Sequence, residues 1–308
     1  MYLLLGLMFA VIYALVVVVG VFVGIANFFL FGVVAAFLVL LQYAIGPKAV
    51  EISMGVRYVS EKEEPALHKM VEELARKAGI KKPRVGISEL RIPNAFAFGR
   101  SRGDGRVCVT RGIMELLDED ELRAVLGHEI SHIAHRDVMV ITMLSVIPMI
   151  CWYLSWNFMF SSGRERGNLA LIGLFAFILY FITNLLVLYA SRIREYYADR
   201  GSVKLGNEPH SLASALYKLV YRTARAGRNE LKRMEGYKAF FLNDPSKAAK
   251  EFSELRSLDK DLSGKIEKHE LETVRESKIK LGFADRLMEM WSTHPNMLKR
   301  IKYLSGLG

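Results

Sequence analysis

Two histidines and a glutamate carry the clearest chemistry in this sequence, in the run His128-Glu129-Ile130-Ser131-His132. On a helix, residues four apart share a face, so His128 and His132 can ligate one metal ion. Glu129 then stands beside that ion, where a carboxylate can take a proton from water, which is the zincin arrangement. Catalytic zinc normally takes three protein ligands and keeps a fourth position for water. A third ligand must therefore come from elsewhere in the chain.

The elements that have to supply it follow from an uneven distribution of apolar residues. The chain has 308 residues, 52% of them hydrophobic, and a mean hydropathy of +0.20, high for a soluble protein. No charged side chain occurs from Met1 to Pro47. A cleaved signal peptide would start basic and be much shorter, so this stretch reads as anchors that stay. Leu3 to Gly24 and Phe28 to Ile45 are each about long enough to cross a bilayer as a helix, with Gly24-Ile25-Ala26-Asn27 as the turn and Gly46-Pro47-Lys48 as the return. Val138 to Phe160 and Leu169 to Ala190 form a second pair around Ser161 to Asn168. The expected fold is a mainly α integral membrane protein, with four transmembrane helices and a zincin-like catalytic domain holding a small antiparallel β-sheet. Residues 1–47 are the first membrane hairpin, 48–137 the first catalytic lobe, 138–190 the second hairpin and 191–308 a helical second lobe.

Within the first lobe, Glu64 to Ala78 is amphipathic, with Pro65 suited to a first helical turn and Gly79 to a stop. Arg84 to Ile87, Ala95 to Phe98 and Arg106 to Thr110 are strand candidates, and Gly103-Asp104-Gly105 makes a hairpin of the last two. Asp118 to Arg136 is the metal-site helix, with acidic residues 118–121 at its positive end. The second lobe reads as helices over Arg192 to Lys204, Ser211 to Ala226, Ser246 to Leu258, Leu271 to Lys280 and Pro295 to Leu304.

Register across the second hairpin locates the third ligand. His132 lies six residues before Val138, about 9 Å of helix above the membrane boundary. On the returning helix, the residue at the same height is Glu195. An antiparallel pair that sets His132 opposite Glu195 also sets His128 opposite Asp199. Glu195 then completes a His-His-Glu set, and Asp199 accepts the other ring N–H of His128 from outside it. His135 is the rival ligand, but it stands about 10 Å along the axis from His128, too far for bonds near 2 Å.

Charge orients the whole. The net charge is +10, and residues 190–308 carry 24 basic against 16 acidic side chains, while 47–137 carry 16 against 15. A basic surplus beside the membrane fits the positive-inside tendency and anionic lipid, so the catalytic lobes and both termini are expected on the cytoplasmic side of a multi-pass cell-membrane protein. No nucleic-acid-binding signature accompanies the charge, and no nucleic-acid partner is expected. Cys108 and Cys151 fall in a soluble strand and an apolar run, which leaves no disulfide framework or cysteine metal site.

The metal motif together with Ser191-Arg192-Ile193-Arg194-Glu195-Tyr196-Tyr197-Ala198-Asp199 resembles the HtpX-type membrane zinc metalloproteases, with the CAAX prenyl endopeptidases as more distant relatives. Pro93-Asn94-Ala95-Phe96-Ala97-Phe98-Gly99 and Ser292-Thr293-His294-Pro295 with Arg300-Ile301 match as well, so the resemblance covers nearly the whole chain. It implies His128, His132 and Glu195 as zinc ligands and Glu129 as the catalytic glutamate. It also implies that Asn94, Ala95, Phe96, Ala97, Phe98 and Gly99 form an edge strand pairing with the substrate backbone, and that His294 and Arg300 contact the substrate or the developing oxyanion.

A second metal pattern lies at 259–270. Asp259, Asp261, Ser263 and Glu267 occupy positions 1, 3, 5 and 9, Gly264 position 6, Lys265 position 7 and Glu270 position 12 of an EF-hand calcium loop. The expected function is thus a membrane-bound zinc endopeptidase, with calcium as a possible second ion. Its partners are polypeptides, among them membrane or misfolded proteins, and the lipid bilayer, in a quality-control role. The alternative is a non-catalytic membrane scaffold or calcium-responsive binding protein with a vestigial zinc site. A transporter fits less well, because Asn184 is the only strongly polar residue well inside an apolar run.

Overall fold

Side-chain caps at Thr110, Asp118 and Asn296 set the starts of three helices. The computed structural model describes residues 28–137, 166–226, 248–261, 263–276 and 282–308, with residue 13 and scattered positions between 140 and 159. The crossing expected at Leu3 to Gly24, its turn, and most of Val138 to Glu165 lie outside the described residues.

Helix α1 is Phe28–Ser53, followed by strand β1, Val56–Tyr58, and α2, Pro65–Lys77. Strands β2 (Arg84–Ser88), β3 (Ala95–Phe98) and β4 (Arg106–Thr110) come next, then helices α3 (Arg111–Leu116) and α4 (Glu119–His135). The remainder is helical: α5 Arg166–Lys204, α6 Pro209–Ala224, α7 Ala248–Leu255, α8 Lys268–Glu276, α9 Phe283–Met290 and α10 Met297–Ser305.

Several expectations need correcting. The small sheet is mixed, not antiparallel: its order is β1-β2-β4-β3, and β2 runs parallel to β4. The β3–β4 hairpin is present, but β3 lies outside β4, so β4 enters beside β2 in the same direction. Helix α1 does not end at Gly46-Pro47; it continues to Ser53, because Glu51 is held by the Tyr58 hydroxyl and by Arg106 of the sheet. Helix α5 runs unbroken through Ser191, as the antiparallel register assumes, since residues 174–200 contain neither Gly nor Pro. Helix α10 starts at Met297 rather than at Pro295, because the Asn296 side chain accepts the Leu298 N–H.

The chain divides into two units, Met1–Ala49 with Val138–Ala190, and Val50–Asp137 with Ser191–Gly308. In the first, Leu30, Val33, Phe37, Leu41 and Ile45 make an exposed apolar stripe on α1, and Leu171, Leu174, Phe175, Ile178, Ile182 and Leu186 stand exposed on α5. Large apolar side chains facing outward in such numbers suit lipid, not water. Thr183 satisfies its hydroxyl on the carbonyls of Leu179 and Tyr180 within the helix. Among the described residues, Gly173–Lys204 is the one helical stretch long and apolar enough to cross a membrane.

The second unit folds around a main hydrophobic core, with a smaller separate cluster at Met54, Phe96, Phe98 and Cys108. Leu67, Val71 and Leu74 of α2, Val85 and Ile87 of β2, Val107 and Val109 of β4, and Leu122, Val125, Leu126 and Ile130 of α4 meet Leu212, Leu216 and Leu219 of α6 and Ile301 and Leu304 of α10. Helix α4 is the central element, buried along most of its length. Its placement sets the site.

Candidate active site

Helix α4 is closed at both ends by side-chain or backbone chemistry. Asp118 accepts the Glu121 N–H at 3.0 Å and Glu121 accepts the Asp118 N–H at 3.0 Å, a reciprocal capping box worth about 1 kcal/mol. The buried Glu121 carboxylate also takes the Ser214 hydroxyl and the Lys218 ammonium of α6, both at 2.6 Å. The motif's helix is thereby fixed in rotation.

Helix α5 then crosses α4 at very short range. A Cβ on Gly127 would lie 2.3 Å from Asn207 Nδ2 and 2.8 Å from Ser202 Oγ, and one on Gly201 would lie 2.1 Å from Ser131 Oγ. The Ser202 hydroxyl donates to the Ala124 carbonyl at 2.6 Å, which stitches the two helices together. Two glycines and two serines, at 127, 131, 201 and 202, thus permit the approach that brings the polar residues of both helices together.

At the crossing, His128 Nε2 and His132 Nε2 lie 3.0 Å apart. Glu195 Oε2 is 3.7 Å from His128 Nε2, and Glu195 Oε1 is 3.6 Å from His132 Nε2. Asp199 Oδ1 accepts the Nδ1–H of His128 at 2.9 Å, and Asp137 Oδ2 that of His132 at 2.7 Å. With each ring proton held on Nδ1, both Nε2 lone pairs point inward at one another, an arrangement that a cation between them resolves. Bonds near 2.0–2.1 Å at roughly tetrahedral angles hold ligand atoms about 3.3 Å apart, close to the spacing seen here. Burial pushes the His128 imidazole below its ordinary value and so favours the neutral form a ligand must have. Two imidazoles and a carboxylate are a His₂Glu zinc set, and these residues fit the ion.

Glu129 is buried, and the Ala97 amide of β3 donates to its carboxylate. Burial, with the nearby Glu195 charge, pushes its pKa up to about 7. A carboxyl group in that range can both accept and return a proton near neutral pH. Segment 94–99 lies against it: β3 is an end strand of the sheet, Asn94 is buried with its amide donating to Thr110 Oγ1 at 2.8 Å, and Phe96 and Phe98 turn into a separate cluster with Met54 and Cys108. Gly99, at φ +147°, passes so near the Asp104 carbonyl that a Cβ would sit 2.3 Å from its oxygen.

His294 Nδ1 lies 3.3 Å from Glu195 Oε2. Arg300 is fully buried and engages carboxylates of the protein itself: Nε and Nη2 fork onto Asp199 at 2.9 and 2.6 Å, and Nη1 is 3.1 Å from Glu195. Burial alone would lower its guanidinium, but Asp199 and Glu195 hold it above its ordinary value. Arg300 thus holds the two carboxylates of α5. His135 is exposed, away from the set.

Asp137, Gly127 and Gly201 have no counterpart in the expectations from sequence. Asp137 lies beyond the helix end, where periodicity says nothing, although small residues flanking both motifs are visible in the sequence. In the second metal pattern, Asp259, Asp261 and Glu270 converge, and Gly264 takes φ +77°. Asp259 accepts the amides of Ser263 and Gly264 and the Tyr217 hydroxyl, while the Lys265 ammonium reaches Asp118.

A sequence model described as peptidase family M48 matches residues 61–307. The chain belongs to peptidase family M48. A protein named protease HtpX homolog from Methanothermobacter thermautotrophicus is 56% identical over 226 residues, 73% of this chain and 86% of that protein. One of the same name from Moorella thermoacetica is 35% identical across 86% of this chain and 80% of its own. A third, from Thermoplasma acidophilum, is 32% identical across 97% and 92%. The chain is thus an HtpX-type member of the M48 family. The crystal structure of S. mikatae Ste24p shares the fold, with a TM-score of 0.51 at 14% identity, over 96% of this chain and 62% of that one.

Proposed function

We propose that the chain is a membrane-bound, zinc-dependent endopeptidase that cleaves membrane or misfolded proteins at the cytoplasmic face of the cell membrane. The observation that carries this reading is the convergence of His128, His132 and Glu195 around one point with the buried Glu129 beside it. Zinc, when bound, supplies a charge that acidifies water and polarises a carbonyl. Glu129 accepts a proton from water at its carboxylate and returns it to the leaving amine. Asp199 and Arg300 hold His128 and Glu195 in place, and β3 offers backbone groups along which an extended peptide can lie. His294 turns its Nδ1 to Glu195, and as an imidazolium its Nε2–H would donate to the carbonyl oxygen.

The same reading takes four membrane crossings, with residues 1–47 and 138–190 as hairpins and residues 48–137 and 191–308 as catalytic lobes on one side. Apolar composition of the first and the basic surplus of the last support it. The loop at 259–270 is where a calcium ion would bind, on its residue pattern and the convergence of Asp259, Asp261 and Glu270.

The test is cleavage of an unfolded protein by detergent-purified wild type and Glu129→Gln, each with zinc and with a chelator. Wild type with zinc should cleave, and the variant should lose at least about a thousandfold while still binding zinc. Cleavage by Glu129→Gln within tenfold of wild type would sink the assignment.

A further inference from the structure

We infer that Asp137 is a positioning residue for the metal centre: it holds His132 in its ligating tautomer, and Arg194 holds Asp137. The inference rests on the zinc-peptidase reading above and deepens it.

The backbone is the first observation. Arg136, at φ 60°, is the only residue other than glycine with positive φ among the described residues. The left-handed region costs an L-residue about 1–2 kcal/mol, and a helix end of this kind usually carries glycine. Had α4 simply continued, Asp137 would stand five residues past His132, about 140° round the helix and far from its ring. The turn at Arg136 instead brings the carboxylate back, so that Asp137 Oδ2 meets His132 Nδ1 at 2.7 Å. A strained residue whose effect is to seat a neighbour on a ligand histidine is the kind of strain that marks functional sites.

The second observation is what holds the carboxylate. Asp137 is 5% exposed, and its Oδ1 is ion-paired with Arg194, whose guanidinium also donates to the His135 carbonyl at 3.0 Å. Arg194 directly precedes Glu195 on α5. One arginine therefore ties the end of α4 to the turn of α5 that carries the third ligand.

The third observation is repetition. His128 is backed by Asp199 and Asp199 by Arg300; His132 is backed by Asp137 and Asp137 by Arg194. Each imidazole thus has a carboxylate behind it and each carboxylate an arginine. The carboxylate keeps the ring proton on Nδ1, which frees Nε2 for a metal, and the arginine holds the carboxylate in place. A carboxylate that merely closed the end of α4 would need neither the ring contact nor the strained turn.

The experiment uses the full-length protein in detergent, stripped of zinc. Zinc affinity is measured by competition with a chelating dye, thermal unfolding is followed without zinc, and kcat and KM are measured on an unfolded protein substrate. Asp137→Asn should bind zinc about 10–100-fold more weakly and lose kcat with KM within about twofold, while its zinc-free melting temperature stays within about 3 °C of wild type. Arg194→Gln, which leaves Asp137 on His132 but unbacked, should lose about three- to tenfold in zinc affinity. Zinc affinity of Asp137→Asn within twofold of wild type overturns the inference, and so does a loss of zinc affinity that appears only with a matching fall in the zinc-free melting temperature. If Asp137→Asn does not fold, Arg194→Gln decides alone, and unchanged affinity there overturns the inference. A wild type that binds no zinc at all overturns the zinc-peptidase reading itself, which keeps the two failures apart.

Discussion

The α4–α5 crossing and the loop at 259–270 each bring three metal-type side chains within 4.8 Å of one another, yet they are built in opposite ways. At the crossing, ligands from two helices more than sixty residues apart meet only because glycines at 127 and 201 let the helices touch. Each of the three side chains there has a buried group behind it: Asp199 for His128, Asp137 for His132 and Arg300 for Glu195. The loop takes its carboxylates from one stretch of twelve residues, and Asp259 organises it by collecting the nearby amides of Ser263 and Gly264. The first site is a property of packing and the second of local turn chemistry. Changes to packing should therefore damage the first and leave the second alone.

Arg300 offers the largest break. It is the fully buried cation between two buried carboxylates, so Arg300→Met leaves Asp199 and Glu195 with uncompensated charge, a loss of about 3–5 kcal/mol in folding stability. Denaturant unfolding of the zinc-free protein reads this directly. Zinc, by adding positive charge near Glu195, should recover part of the loss. A destabilisation under about 1 kcal/mol would show that the guanidinium is not the counter-charge described here.

Gly201 tests the packing without touching a charge. A Cβ there would meet both Ser131 Oγ at 2.1 Å and Ser131 Cβ at 2.7 Å, so turning the hydroxyl away does not relieve the clash. Gly201→Ala should cost about 1–3 kcal/mol and weaken zinc binding by spreading α4 from α5. Ser131→Gly in the same chain should restore most of both, a coupling that a double-mutant cycle measures. Additive effects in that cycle would mean that the helices do not touch where the structure puts them.

These cases show what a single sequence displays. The helical period alone puts His128 and His132 on one face, and an antiparallel register leads to Glu195 and Asp199, because both are consequences of regular helix geometry. Pro65, Gly79 and Asp118 mark helix ends through backbone chemistry that is equally local. What stays hidden lies off the regular lattice. Asp137 reaches His132 through one left-handed residue, Arg136, which no composition rule anticipates. The parallel pairing of β2 with β4 depends on which edge the β3–β4 hairpin takes, and the strands' alternation is the same either way. Arg300 shows the same limit: its side-chain type suits a substrate contact as well as a buried counter-charge, and only its burial separates them.

The loop provides the smallest and most selective effect. If its carboxylates take up calcium, stability should rise by RT ln(1 + [Ca²⁺]/Kd), about 1.4 kcal/mol at ten times Kd, with the zinc affinity of the crossing unchanged. Asp259→Asn keeps the side chain's shape and the Tyr217 contact within reach but halves the charge available to a cation from the two buried carboxylates, Asp259 and Glu270. It should abolish the calcium-dependent rise while the His₂Glu site binds zinc as before. Calorimetric titration of the full-length protein with calcium, before and after the substitution, reads both. A calcium response that survives Asp259→Asn would place the ion elsewhere, and one that changes zinc affinity would show that the two regions are coupled and not, as their construction implies, independent.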